Sequence, residues 1–235
     1  MLVAAAVCPC PPLLLPEVAT GAAPELDAAR TACADAVGLL AASRPDRLYV
    51  VGPAAADAAG VFPAGSTGSF AGFGVDVSVR LGDGPAADRS LPASLAVGAW
   101  LLGRADWADA PVEGRGVGER ETAEACAATG RELAASAGRV ALLVMGDGSA
   151  CRTVKAPGYL DERAAGFDAG AARALGTADV PALLALDEEL AYELKAAGRA
   201  PWQVLAGAAE GAGLEGRLLH EDAPYGVEYI VAAWS

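Results

Sequence analysis

Apolar and polar positions along this chain switch repeatedly between a strand pattern and a helix pattern. Leu2–Val7 is a short continuous apolar run, as expected of a strand buried on both faces. Pro24–Ser43 carries apolar residues at helical spacing, with Glu25 and Asp27 near its start, where the helix dipole favours negative charge. Arg47–Val51 reads as a second buried strand, ending in Gly52-Pro53. Phe73–Leu81 alternates, with Val75, Val77 and Val79 inward, and predicts a strand; Leu91–Arg104 predicts an apolar helix and Glu119–Ala137 an amphipathic one. Arg139–Met145 (RVALLVM) is the clearest central strand and runs into the turn Gly146-Asp147-Gly148-Ser149. Arg163–Leu175, Asp179–Lys195 and Pro201–Ala212 predict helices. Glu215–Leu219 and Val227–Trp234 predict two closing strands around the turn Ala223-Pro224-Tyr225-Gly226. Gly82–Ser90 and Asp106–Gly118 read as loops.

This alternation predicts one α/β domain over residues 1–235, with a central mixed sheet flanked by helices. Ligands in such folds sit at the carboxyl ends of the strands. Three segments answer that description: Cys8–Glu17, Gly52–Asp57 and Gly146–Tyr159.

Composition narrows the function classes. Hydrophobic residues make up 54% and charged residues 20%, enough for a sizeable core. The net charge of -13 would repel nucleic acid and anionic membrane surfaces. Abundant Ala and Gly, with Lys155 and Lys195 the only lysines, fit the codon bias of a high-GC bacterial genome. No apolar run reaches the roughly 20 residues of a membrane span. The amino-terminal stretch lacks a basic region and is interrupted by Pro9, Pro11 and Pro12, so a cytoplasmic protein is expected. The cysteines are Cys8, Cys10, Cys33, Cys126 and Cys151, an odd set that does not predict a disulfide framework. Cys33 and Cys126 fall on alanine-rich helices and read as small buried hydrophobes. Trp202 and Trp234 read as core or interface residues. Gly146–Ser149 lacks the Lys-Ser/Thr ending of a phosphate loop, so nucleotide binding is not expected.

Five collinear segments resemble the class III extradiol ring-cleavage dioxygenases and their Memo-like relatives. VCPCPPLLLPE (Val7–Glu17) resembles the opening V-P-H-P-P-x-x-x-P-E, and VVGPA (Val50–Ala54) resembles I-S-P-H. Val144–Asp168 resembles G-D-L-S-H followed by A-P-x-G-Y-D and F-D. Asp179–Ala208 is similar to the helical pair that follows, and Pro224–Trp234 to the closing strand P-F-G-V-G-Y-x-V-A. The resemblance implies a single extradiol dioxygenase-like domain and a homodimer. It also implies two histidines that hold non-haem iron with a carboxylate, and a third that acts as acid/base on a bound catechol.

This chain departs from that pattern where the chemistry lies. The three histidine positions fall on Cys10, Ala54 and Ala150, and the single histidine is His220. One histidine cannot supply a two-histidine site, so standard iron-dependent cleavage by this chain alone is not expected. Three readings follow. The first is a degenerate relative that keeps a small-molecule cleft, with no metal, lined by Pro11, Pro53, Ala54, Asp147, Ser149, Ala150, Lys155, Tyr159 and Tyr225. Arg152 and Lys155 are the cations nearest such a cleft in sequence. The second is an enzyme of altered chemistry. Cys10 and Cys151 would be its catalytic thiols, or Cys10 with His220, Glu221 and Asp222 would hold zinc or iron. The third is a non-catalytic partner of a second, catalytic chain. Glu228, which interrupts the last apolar strand, reads as either an edge charge or a group aimed into the cleft.

Overall fold

A computed structural model describes residues 1–235. In chain order the elements are β1 (Leu2–Cys8), α1 (Pro16–Ala19), α2 (Asp27–Ala42), β2 (Arg47–Ala54), β3 (Gly60–Phe62), β4 (Thr67–Ser69) and β5 (Ser78–Arg80). There follow α3 (Ala93–Arg104), β6 (Val112–Gly118), α4 (Ala123–Ala135), β7 (Val140–Met145) and α5 (Ala164–Gly176). The chain closes with α6 (Val180–Leu184), α7 (Glu188–Glu193), α8 (Arg199–Ala209), β8 (Gly216–Asp222) and β9 (Tyr229–Trp234).

Seven strands form one sheet in the order β3-β6-β2-β7-β1-β9-β8. The four inner strands β6, β2, β7 and β1 run parallel, and β3, β9 and β8 join antiparallel. A parallel strand is covered on both faces and is therefore apolar throughout. β7 meets that demand: all six of its residues are buried. The expected single α/β domain with a mixed sheet flanked by helices is what the chain forms. No helix is long and apolar enough to cross a membrane.

Residues of β1 alternate between two cores. Leu2, Ala5 and Val7 face the layer of α4, α5 and α8, and Ala4, Ala6 and Cys8 face the layer of α2 and α3. Trp202 and Trp234 are fully buried in the first of these, which places both in the core. Cys33 and Cys126 are buried as expected. The neighbouring Cys33 thiol on α2, together with burial, pushes the Cys8 thiol on β1 well up.

The structure corrects three sequence expectations. Asp106–Gly118 is not all loop: Val112–Gly118 is β6, an inner strand. Its glycines hid the strand pattern, and they are there because space is lacking. A Cβ on Gly114 would lie 2.9 Å from Leu81 Cδ2 and 3.0 Å from Phe62 Cβ. Phe73–Leu81 is not one strand; only Ser78–Arg80 pairs, with Thr67–Ser69, while Phe73 closes a 3-10 turn that ends at Gly74 with φ +85°. Val75, Val77 and Val79 still pack against the core. Asp179–Lys195 is two helices, because it contains two N-caps. Asp179 accepts from the Ala182 amide at 3.0 Å and Asp187 from the Leu190 amide at 2.8 Å.

Gly114→Ala should therefore lower stability by about 1–3 kcal/mol through overpacking. Urea unfolding checks this. A variant as stable as the native chain would mean that β6 is not packed as described.

Candidate functional site

The long helix between β1 and β2, α2, covers one face of the sheet, and the helix after β7, α5, covers the other. The chain thus leaves these adjacent strands in opposite directions. That makes the crevice beyond Cys8 and Met145 a topological switch point, where open α/β sheets bind ligands. β2 lies on the other side of β7 and ends at Ala54.

Cys10 and Asp147 meet at this crevice. The Cys10 amide donates to Asp147 Oδ1 at 2.8 Å, and the Cys10 Sγ lies 3.9 Å from Oδ2. Burial, reinforced by the charge of Asp147, pushes the Cys10 thiol well up. Burial also raises the Asp147 carboxyl to about 6, against the Cys10 hydrogen bonds that lower it. Tyr229, at the start of β9, faces the same pair; burial and the Asp147 charge push its phenol up. A nucleophilic cysteine needs a depressed pKa. Here the surroundings keep Cys10 protonated, so the geometry opposes a thiolate role.

Behind this pair lies a buried polar network. Asp168, on α5, is fully buried. Its Oδ1 accepts from the Ser149 amide at 2.8 Å and its Oδ2 from the Ser149 hydroxyl at 2.5 Å. Arg152 donates to Asp168 Oδ2 at 3.2 Å and also binds the Glu228 carboxylate. Glu228 is neither an edge charge nor aimed into open space: it is buried and paired with Arg152. One guanidinium faces two carboxyls, so one of them is held near neutrality. Burial and the Asp168 charge raise Glu228 to about 7, against the pull of Arg152. The backbone joins the same pieces: Gly148 N donates to Glu228 O at 2.8 Å and Glu228 N to Ser149 O at 2.9 Å. A side chain at Gly148 would meet Glu228 Cβ and Asp168 Oδ1, so glycine is required there.

The other expected site residues separate. Cys151 is buried on the opposite face from Cys10, with its thiol 3.4 Å from Leu194 O. A Cys10–Cys151 pair is therefore not formed; the loop after β7 carries Cys151 through the plane of the sheet. His220, Glu221 and Asp222 lie on β8, the outermost strand, with β9 between them and β1. The expected Cys10, His220 and Glu221 metal set is not assembled, and no three Cys, His, Asp or Glu side chains converge in metal-binding geometry. Lys155 and Tyr159 are exposed on the outer loop, Tyr159 with φ +63°. Pro53 is turned to Ser94, whose hydroxyl donates to its carbonyl at 2.6 Å. Pro11 opens a 3-10 turn over Pro12–Leu14. Tyr225 donates to Glu25 Oε2 at 3.0 Å, tying the turn before β9 to the segment after β1. Ala150 is buried against the carbonyl of Leu194, to which its amide donates at 2.9 Å.

Open space lies one strand further along the same edge, at the carboxyl ends of β2 and β6. A cavity of about 540 Å³ is bounded by Ala54–Ala56, Ala59, Gly118–Thr122 and Tyr192. Of the residues expected to line a cleft, Ala54 is the one on its wall. Ala55 and Ala56 fall in the Gly52–Asp57 segment expected at a strand end; Gly118 was missed because β6 was read as loop, and Glu119–Thr122 and Tyr192 because they were read only as helix. The Asp N-cap at Asp187, which sets α7 and Tyr192 in place, was a usable signal.

No protein-family model matches the chain, and no curated protein matches it. Among solved structures it is similar to an uncharacterized protein, JW3007, from Escherichia coli K12. The TM-score is 0.51 at 14% sequence identity, over 99% of each chain. At that identity the likeness shows the fold alone.

The buried carboxyls make stability depend on pH. Folding raises Glu228 from 4.5 to about 7 and Asp147 from 3.8 to about 6, so between about pH 4.5 and 7 the folded chain binds more protons than the unfolded one. Unfolding free energy should then fall as pH rises through that window. Glu228→Gln should flatten that pH dependence. Urea unfolding at stepped pH measures this, and an unchanged slope would contradict the assignment. A second expectation concerns Cys10. Asp147→Asn should speed its alkylation by iodoacetamide, because the charge that opposes the thiolate is gone. A slower or equal rate would place the thiol elsewhere.

Proposed function

We propose that this chain is a small-molecule-binding protein on an extradiol dioxygenase-like scaffold from which the iron chemistry has been lost. The observation that carries this reading is a division within the resembling motifs. Asp147, Ser149 and Asp168 match the family pattern. Asp147 fixes the segment after β1, and Ser149 with Asp168 fixes the loop after β7 to α5. The positions that would carry histidines, Cys10, Ala54 and Ala150, stand at the carboxyl ends of the adjacent strands β1, β2 and β7. What the pattern uses to build the loops is kept, and what it uses for chemistry is replaced.

A two-histidine, one-carboxylate iron site does not fit these residues. Two of the positions are methyl groups, the third is a thiol, and the lone imidazole sits on the outer strand, so two histidines cannot meet at one ion. The cavity beside Ala54 supports retained ligand binding, since its volume lies within the range of small-molecule pockets. Assembly as a homodimer is part of this proposal and is carried by the resemblance.

Protein purified anaerobically without a metal-binding tag should contain no stoichiometric iron by mass spectrometry. Supplied with Fe(II) and oxygen, it should open no catechol ring, with protocatechuate as the probe. One iron per chain, lost in Cys10→Ala, with a ring-opened product, would overturn the proposal.

A further inference from the structure

The space at the carboxyl ends of β2 and β6 has a second compartment. A cavity of about 340 Å³ lies between β6 and α4 and is lined by Arg115, Cys126 and Thr129 among others. It shares Ala59, Gly118 and Glu121 with the larger cavity. Cys126 is no nucleophile here: burial raises its thiol to about 11.

Three charged side chains in this space, Arg115, Glu119 and Glu121, form no ion pair, and of these Arg115 and Glu121 line the smaller compartment. Arg115 projects from β6, between Val51 of β2 and Val61 of β3 in register, and is partly buried. The chain's ion pairs engage Arg30, Arg120, Arg131, Arg152 and Arg163, and Arg115 is not among them. A partly desolvated guanidinium without a counter-charge is costly, and a carboxylate is the ligand group that matches its paired donors. Glu121 lines both cavities and likewise forms no ion pair. Its side chain is exposed, and its backbone is braced. The buried Arg199 donates to the backbone carbonyls of Glu119 and Glu121 and, at 3.0 Å, to Gln203 Oε1. The Glu121 carboxylate is thus presented from a braced segment.

The larger cavity adds an apolar wall of Ala54, Ala55, Ala56 and Ala59, closed by Tyr192. The Arg120 guanidinium stacks on the Tyr192 ring, 3.5 Å from its centroid, and holds it in place. The net charge of -13 repels a simple anion at long range, whereas a ligand with one charge of each sign approaches without that penalty.

We propose that these joined cavities bind a zwitterionic small molecule with an apolar side chain, an amino acid or close analogue. Arg115 takes its carboxylate, Glu121 its ammonium, and the alanine wall its side chain. This deepens the ligand-binding reading above and rests on it.

Calorimetric titration with three probes tests the assignment: L-phenylalanine, 3-phenylpropanoate, which lacks the ammonium, and phenylalaninamide, which lacks the carboxylate. L-Phenylalanine should bind, and each truncated probe should bind about tenfold more weakly or worse. Arg115→Gln should weaken L-phenylalanine by a similar factor and leave phenylalaninamide unchanged. Glu121→Gln should weaken L-phenylalanine and leave 3-phenylpropanoate unchanged. Urea midpoints equal to that of the native chain establish that both variants fold. Equal binding of all three probes, indifference to both substitutions, or no saturable binding of L-phenylalanine would each overturn the zwitterion assignment. Binding of 3-phenylpropanoate alone would overturn it and leave the scaffold reading standing. Ring opening by the iron-loaded chain would instead overturn the reading beneath it.

Discussion

The carboxylate of Asp168 has no exposure to water, and four pieces of the chain depend on where it sits. It closes the turn at Ser149 through both the amide and the hydroxyl, and it holds Arg152. Arg152 then reaches Glu228, just before β9. The loop after β7 is thereby pinned to α5 on one side and to the last strand on the other. An isolated carboxylate could not be buried this way, and this one is tolerated because hydrogen bonds and a guanidinium compensate it. The same compensation is incomplete for a second acid, so Glu228 keeps its proton up to about pH 7.

From that anchor the site follows. A fixed loop places Asp147 against the Cys10 amide, which joins the carboxyl ends of β7 and β1. The result is a largely filled switch point, whose thiol is pushed toward its protonated form by burial and the Asp147 charge, next to open space at the ends of β2 and β6. The residues that build the loops lie between β7, α5 and β9, while the open space lies at the ends of β2 and β6, under α4 and beside Tyr192.

Much of this was legible in the sequence, for reasons particular to the elements concerned. RVALLVM had to be an inner strand, because six consecutive buried residues fit little else at that length. Asp147, Ser149, Cys10, Ala54 and Ala150 were placed at strand ends by the alternation of elements, and they lie there. Side-chain direction was not legible. Cys10 and Cys151 both follow strands, yet a loop of a few residues sends Cys151 to the opposite face. β6 was hidden because Gly114 answers to the bulk of Leu81 and Phe62, not to strand propensity. With β6 lost, Arg115 could not be recognised as a cavity residue. The role of Glu228 depended on Arg152, a partner 76 positions away.

The measurement that bears most directly on the account is equilibrium urea unfolding of Asp168→Asn beside the native chain, each with and without Fe(II) under anaerobic conditions. Removing the charge takes one of Arg152's two counter-charges and leaves Ser149 one acceptor oxygen in place of two, while Glu228, relieved of the Asp168 charge, ionises to hold Arg152, so a loss of about 1–3 kcal/mol is predicted. The loss should be the same with and without metal, because the scaffold stands without it. A loss below about 1 kcal/mol, or a native chain stabilised by Fe(II), would contradict the account.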